Sequence, residues 1–298
     1  MNLCAHAKIN LNLAVLGTRP DGYHELKTVF QSLALHDTLQ FERADQRLSI
    51  ACRSPGVPLN ERNLVWKAAR LVWQAAGRSG EPAGHVHITK RIPVQGGLGG
   101  GSADGATALV GWNRLWDAHL SAARLRDLAS ILGADVPFFL CAGTAVGLGR
   151  GDEVQPLADA PARFVVLVMP TFGVPTPQAF RWWDEDRATI TMPGSAAAMP
   201  AAGDLLPVFN DLEAPVSRRH PQLAEIRDRL LRAGASAAAM TGSGSTMFGL
   251  FETEQQAVTA GDDLGDARWH VALTRTATRQ ESGLGLPVDP SGAAPQGR

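Results

Sequence analysis

The chain reads as a two-domain α+β protein, and three stretches carry that expectation. Five glycines in six positions, Gly96 to Gly101, stand between a strand-like segment and a helix-like one, an arrangement that lets a backbone close around an anion. A β-loop-β-α-β run from Ser236 to Thr274 has the pattern of a small α/β sandwich. The 298 residues, 45% of them hydrophobic, suffice for two domains rather than one. The boundary is expected after residue 158, with an N-terminal domain over 1–158, a C-terminal domain over 159–282 and a Pro/Gly-rich disordered tail over 283–298.

Taken in order, residues 3–16 alternate as a strand does, with Ala5, Ala7, Ile9, Leu11 and Leu13 on one face and His6, Lys8, Asn10 and Asn12 on the other. Lys8 and Asn10 therefore point the same way, either as a functional face or as the solvated side of an edge strand. The turn at Pro20-Asp21-Gly22 presents Tyr23, the one tyrosine of the chain, and His24. Strands are expected over Lys27 to Leu35, Asp37 to Glu42 and Arg47 to Cys52, then a loop holding Asn60 to Asn63. Leu64 to Ala76 has helical spacing and stops at Gly77. His85 and His87 share a strand face but lack a third ligand, which favours an ordinary strand surface over a metal site.

After the glycines, Ser102 suits an N-cap, and an amphipathic helix with Leu109, Trp112 and Leu115 is expected to follow. The unsatisfied amides of its first turn and the positive end of its dipole would add to an anion site. The other reading of the run is a flexible linker. Ser121 can cap a helix ending at Leu132, and Asp135 is expected at a helix-to-strand junction before Pro137. Residues 143–157 read as a hairpin, Ala162 to Met169 as a buried strand and Thr176 to Asp184 as a short helix bearing Phe180, Trp182 and Trp183. A variable loop is expected over 186–204, helices over Asn210 to Arg219 and Pro221 to Ala233, and a second glycine turn at Thr241 to Thr246.

Composition narrows the function. A formal charge of −1 offers no bulk attraction for nucleic acid or an anionic membrane, and small anionic ligands need only local cations. Cys4, Cys52 and Cys141 are odd in number and scattered, so neither a disulfide framework nor a zinc site is expected and a reduced cytoplasm fits best. No leader pattern and no run of about 18 apolar residues suggests export or a membrane span. Lysine occurs only at Lys8, Lys27, Lys67 and Lys90, a scarcity that reads as coding composition.

The glycine run contains neither G-x-x-x-x-G-K-[ST] nor G-x-G-x-x-G, and the protein-kinase signatures are absent. What remains, P-x-x-x-G-L-G-x-G-S over Pro93 to Ser102, resembles the ATP-binding motif of the GHMP superfamily of small-molecule kinases. Together with AKINLNLAVLGTRPDGYHEL, GADVPFFL, GRGDEV and MTGSGST, it is similar to the branch that phosphorylates the 2-hydroxyl of 4-diphosphocytidyl-2-C-methyl-D-erythritol. The resemblance implies an N-terminal domain like ribosomal protein S5 domain 2, a ferredoxin-like C-terminal sandwich, ATP with Mg²⁺, and a small cytidine diphosphate substrate in the non-mevalonate isoprenoid pathway. It makes Lys8 and Asp135 catalytic. Pro93, Val94, Gln95, Gly96, Gly97, Leu98, Gly99, Gly100, Gly101, Ser102, Ala103 and Asn63 would bind the nucleotide, with Asn63 on the adenine side. Asn10 would meet the methylerythritol part, Gly242, Ser243 and Gly244 the phosphates, and Tyr23, His24 and Phe180 the cytosine.

A carboxylate and an ammonium make chemical sense together, since a tertiary alcohol must lose its proton as the bond to phosphorus forms. A flat base likewise suits a pocket with Tyr23 and Phe180 as plates and His24 at the edge, unless Phe180 packs in the core. Gln95, Ala103 and Gly105 stand where the family usually has a small residue, a second serine and an alanine. Homoserine or mevalonate kinases of the superfamily would share the glycine run but not Tyr23-His24, and a non-catalytic nucleotide-binding regulator would be expected to have lost Lys8 or Asp135. The sequence assigns neither metal ligands nor an oligomeric state.

Overall fold

The computed structural model describes residues 1–94, 96–189 and 207–287. In chain order its first half comprises β1 (Asn2–Thr18), β2 (His24–Arg47), β3 (Ser49–Cys52), α1 (Leu64–Ala75), β4 (Ala83–Thr89), α2 (Gly100–Leu115), α3 (Ala122–Leu132), α4 (Val136–Cys141), β5 (Thr144–Gly149) and β6 (Glu153–Pro156). Then follow β7 (Phe164–Pro170), α5 (Thr176–Thr189), β8 (Phe209–Asn210), α6 (Glu213–Arg219), α7 (Gln222–Arg232), β9 (Ala237–Met240), β10 (Met247–Phe251), α8 (Glu254–Asp263), β11 (Trp269–Arg275) and α9 (Arg279–Ser282). Among the described residues the strands form two sheets, one in the order β3-β4-β2-β1-β8 with the β5–β6 hairpin attached to β2, the other in the order β11-β7-β10-β9.

Helices α1 to α4 cover one face of the larger sheet over a core that includes Phe41, Val72, Leu109, Trp112 and Phe138. The other face, through Ala7, Ile9 and Leu11, meets Val165, Leu167 and Phe248 of the smaller sheet. That sheet turns Val166 and Val168 outward onto α5 to α8. β7 is therefore an unbroken apolar run because both of its faces are buried.

β1 is an interior strand, so its polar row is buried with its apolar row: Lys8 and Asn10 are each 2% exposed and Asn12 is fully buried. Register shifts between His6 and Lys8 and between Asn10 and Asn12 interrupt the simple alternation. The strands expected over Lys27 to Leu35 and Asp37 to Glu42 are one, since β2 pairs with β1 from Thr18↔His24 to Asn2↔Gln40.

Four further expectations are corrected. Helix α2 starts at Gly100 with Gly99 as its N-cap, so Ser102 lies inside the helix. It is central rather than amphipathic, buried continuously from Ala103 to Trp112. A Cβ on Gly105 would stand 3.0 Å from both Leu132 Cδ2 and Leu64 Cβ, so the missing alanine lets α1 and α3 close on α2. Residues 136–141 form a helix instead of a strand, because Pro137 falls in its first turn, where a missing N–H costs nothing. Asn210 belongs to β8, paired with Leu13, and not to the helix that begins at Glu213.

The tail is ordered at its start. Leu284 is 7% exposed within the first core, and Arg114 donates to its carbonyl. Most of the loop expected over 186–204, the tail from 288 and Gln95 lie outside the described residues. The three cysteines are free. Among the described residues no helix is long and apolar enough to cross a membrane.

Candidate active site

A cleft of about 1080 Å³ runs between the glycine run, the start of β2 and the α5 side of the smaller sheet. Its floor is made where two glycine turns meet. The Lys8 amide donates to the Leu98 carbonyl at 3.0 Å, pinning the first turn to β1. Gly97, at φ +75°, comes so near the second turn that a Cβ there would sit 2.4 Å from the Thr241 carbonyl oxygen. Gly99, at φ +72°, faces the Phe139 ring, with a Cβ 2.6 Å from its Cζ. Both positions need glycine for conformation and for space. Thr241 ties the turns to β1, its hydroxyl accepting from the Asn10 amide at 3.1 Å.

The head of α2 opens on the cleft through Gly100, Gly101 and Ser102, whose first-turn amides have no intrahelical acceptor. Ala103 contributes nothing there. It is fully buried, and its amide donates to the Gly99 carbonyl at 2.8 Å, which corrects its place in the nucleotide set. Pro93, Val94, Gly96, Gly97, Leu98 and Gly99 all line the cleft. So does Asn63, whose side chain already caps α1, accepting from the Val65 amide at 2.9 Å and donating to the Pro58 carbonyl at 2.7 Å.

Lys8 Nζ donates to Asn10 Oδ1 at 2.6 Å, and Asn10 is oriented by donating in turn to Thr28 Oγ1 at 2.8 Å. The nearest carboxylate is Asp135 Oδ2 at 4.0 Å, at the head of α4 and 41% exposed. Burial pushes the Lys8 ammonium below the usual lysine range, and Asp135 partly opposes the shift. With one neutral acceptor and a distant carboxylate, the ammonium keeps donors for a ligand. A carboxylate open to the cleft stands beside it.

At the far end Tyr23 is 58% exposed, with the Arg150 guanidinium 5.1 Å from its ring centre. His24 lies flat on Phe180, ring centroids 4.6 Å apart. Phe180 thus belongs both to the cleft wall and to the rim of the second core, and one of its faces is taken by His24. Gly242, Ser243 and Gly244 line the cleft opposite, and Ser243 Oγ lies 3.0 Å from Thr176 Oγ1.

Three buried groups were not singled out by the sequence. Lys90 Nζ bonds Asp37 and, at 2.7 Å, Asp104 Oδ2, beside the first residue of α2. The scarcity of lysine was the available signal: of four, Lys8 and Lys90 both reach the cleft. Among the described residues no group of three or more His, Cys, Asp or Glu side chains could hold a metal, and His85 instead meets Ser49 Oγ at 2.8 Å.

Family models for the GHMP kinases N terminal domain and the GHMP kinases C terminal match residues 63–143 and 195–270. The 4-diphosphocytidyl-2-C-methyl-D-erythritol kinase of Moorella thermoacetica is 39% identical over 93% of this chain and 99% of its own length. That of Citrifermentans bemidjiense is 41% identical, with coverages of 93% and 99%. A crystal structure of a 4-(cytidine 5'-diphospho)-2C-methyl-D-erythritol kinase superposes with a TM-score of 0.76 at 36% identity, covering 93% of this chain and 99% of that one. The Methanococcus jannaschii mevalonate kinase, at 12% identity, a TM-score of 0.68 and coverages of 93% and 98%, shares the fold. The chain belongs to the 4-diphosphocytidyl-2-C-methyl-D-erythritol kinase family, within the GHMP kinases, and is an ATP-dependent phosphotransferase.

Proposed function

We propose that this kinase transfers the γ-phosphate of ATP to the 2-hydroxyl of 4-diphosphocytidyl-2-C-methyl-D-erythritol, releasing ADP and the 2-phosphate, in the cytoplasmic non-mevalonate route to isoprenoids. The observation that carries the reading is the underpaired, buried Lys8 ammonium 4.0 Å from the half-exposed Asp135 carboxylate, at the end of a glycine cradle. In this reading the amides of Gly100 to Ser102 hold the nucleotide phosphates, Asp135 takes the hydroxyl proton, and Lys8 offers its unused donors to charge on the transferring group. Asn10 keeps the Lys8 side chain aimed at the reacting atoms.

Mg²⁺ bound with the nucleotide supplies neutralisation of the β- and γ-oxygens. The chain fits such an ion. Mg²⁺ rides mainly on phosphate and water, and among the described residues no cluster of ligating side chains forms a dedicated cage. Tyr23, His24 and Phe180 stand at the end where the base would lie. The test offers the purified chain ATP, Mg²⁺ and a panel of acceptors: the cytidylyl alcohol, homoserine and mevalonate. ADP release with the first alone is the expected result, and turnover of homoserine or mevalonate instead would reassign the chain within the superfamily.

A further inference from the structure

The turn before β2 delivers His24 into the cleft with one ring nitrogen committed and the other free. Nε2 lies 2.9 Å from Asp184 Oδ1 on α5, the ring is stacked on Phe180 with 22° between the planes, and its edge meets Trp183 at 5.6 Å. The side chain is 9% exposed, and turning the ring over would put a carbon in place of Nε2 and break the contact with Asp184. Nδ1 has no hydrogen-bond partner among the described residues. A carboxylate accepts and never donates, so a neutral imidazole facing it carries its proton on Nε2 and keeps a lone pair on Nδ1.

We propose that Asp184 is a positioning residue for base selection. By holding the His24 tautomer it gives the cleft a hydrogen-bond acceptor, which accepts a hydrogen bond from the exocyclic amine of a 4-aminopyrimidine and repels the carbonyl of a 4-oxopyrimidine. The inference rests on the cytidine diphosphate reading above and deepens it: His24 separates cytosine from uracil, and Asp184, which need touch no substrate, decides which way. Two acceptors brought together out of water each lose a partner. That is why a site built around one hydrogen bond rejects the wrong group more strongly than one built on shape.

Two measurements test this. ¹⁵N NMR of the histidine-labelled full chain without ligand, at about pH 8.5 and so roughly two units above the ordinary imidazole value, reads the tautomer, with His24→Gln identifying the signals. The Nε2–H form is expected in the wild type and a mixture in Asp184→Ala. The ratio of kcat/KM for the cytidylyl alcohol to that for its uridylyl counterpart is then compared. Asp184→Ala should lose about tenfold or more of this preference, on the scale of one unpaired buried group, with the KM for ATP unchanged and partial recovery in Asp184→Glu. An Nδ1–H or doubly protonated ring in the wild type, or an undiminished preference in Asp184→Ala, overturns the proposal. If Asp184→Ala does not fold, Asp184→Asn, whose amide can turn either atom to the ring, is read by the same two criteria. A wild type that phosphorylates neither alcohol defeats the kinase reading, and the NMR result still decides whether Asp184 holds the ring.

Discussion

Lys8 and Lys90 reach the same cleft on the same type of side chain, and their surroundings drive them in opposite directions. Burial acts against both ammonium groups. For Lys90 the carboxylates of Asp104 and Asp37 overcome it and hold the group above the usual lysine range, while Asp37 is itself fixed by the amides of Arg91 and Ile92. For Lys8 a neutral amide oxygen and a carboxylate 4.0 Å away do not, and its affinity for a proton falls. Saturated with buried carboxylates, an ammonium is scaffold. Left short of partners, it interacts most strongly with whatever charge develops beside it.

Exchanging both lysines for methionine should separate the two roles. Lys90→Met leaves Asp37 and Asp104 buried without their cation, and denaturant unfolding should show a loss of about 3–5 kcal/mol, the scale for breaking a buried pair. Lys8→Met removes a buried charge that lacks a close counterion, so stability should hold or rise, while turnover falls about 10²- to 10³-fold, as for loss of one transition-state donor. Equal stability losses in the two variants would erase the distinction. Asp135→Asn sharpens it from the carboxylate side: turnover should drop about 10²-fold or more, with ATP affinity, measured by titration calorimetry, changed no more than about threefold.

Acid–base behaviour offers a smaller effect. Two carboxylates share one ammonium, and burial, with Asp37 adding to it and Lys90 opposing, pushes Asp104 up to about 7 from its ordinary 3.8. Its Oδ1 has no partner among the described residues. Because the folded chain binds this proton more tightly than the unfolded one, the stabilisation is complete below the ordinary value and is lost as pH rises through about 7. Denaturation midpoints should therefore decline between pH 5 and pH 8, a slope that Asp104→Asn should flatten. The smallest effect belongs to Ala103→Ser. A hydroxyl there would enter the core and not the cradle, so the KM for ATP should stay constant while stability falls by about 1–2 kcal/mol.

Short-range signals were legible. The cap Ser121 acts where turn chemistry puts it, and Gly77 follows its helix in the left-handed region. Motif resemblance also put Lys8 and Asp135 in one cleft, although they are far apart in the chain. Local capping chemistry misplaced Ser102 as the N-cap and the motif counted the buried Ala103 with the cradle, because which turn of a glycine run becomes helix depends on what the run packs against.

By itself, then, the sequence determined the α+β class, the glycine turns, the helix stops and the family, since periodicity, caps and motifs act over a few residues. The tertiary structure decided that β2 runs unbroken, that α2 is buried on every side and that Lys90 sits between Asp37 and Asp104. It also laid His24 against Asp184, 160 residues away. Each of these depends on which groups from distant segments share one water-excluded space. There the balance of burial and charge, which no local pattern encodes, sets both packing and chemistry.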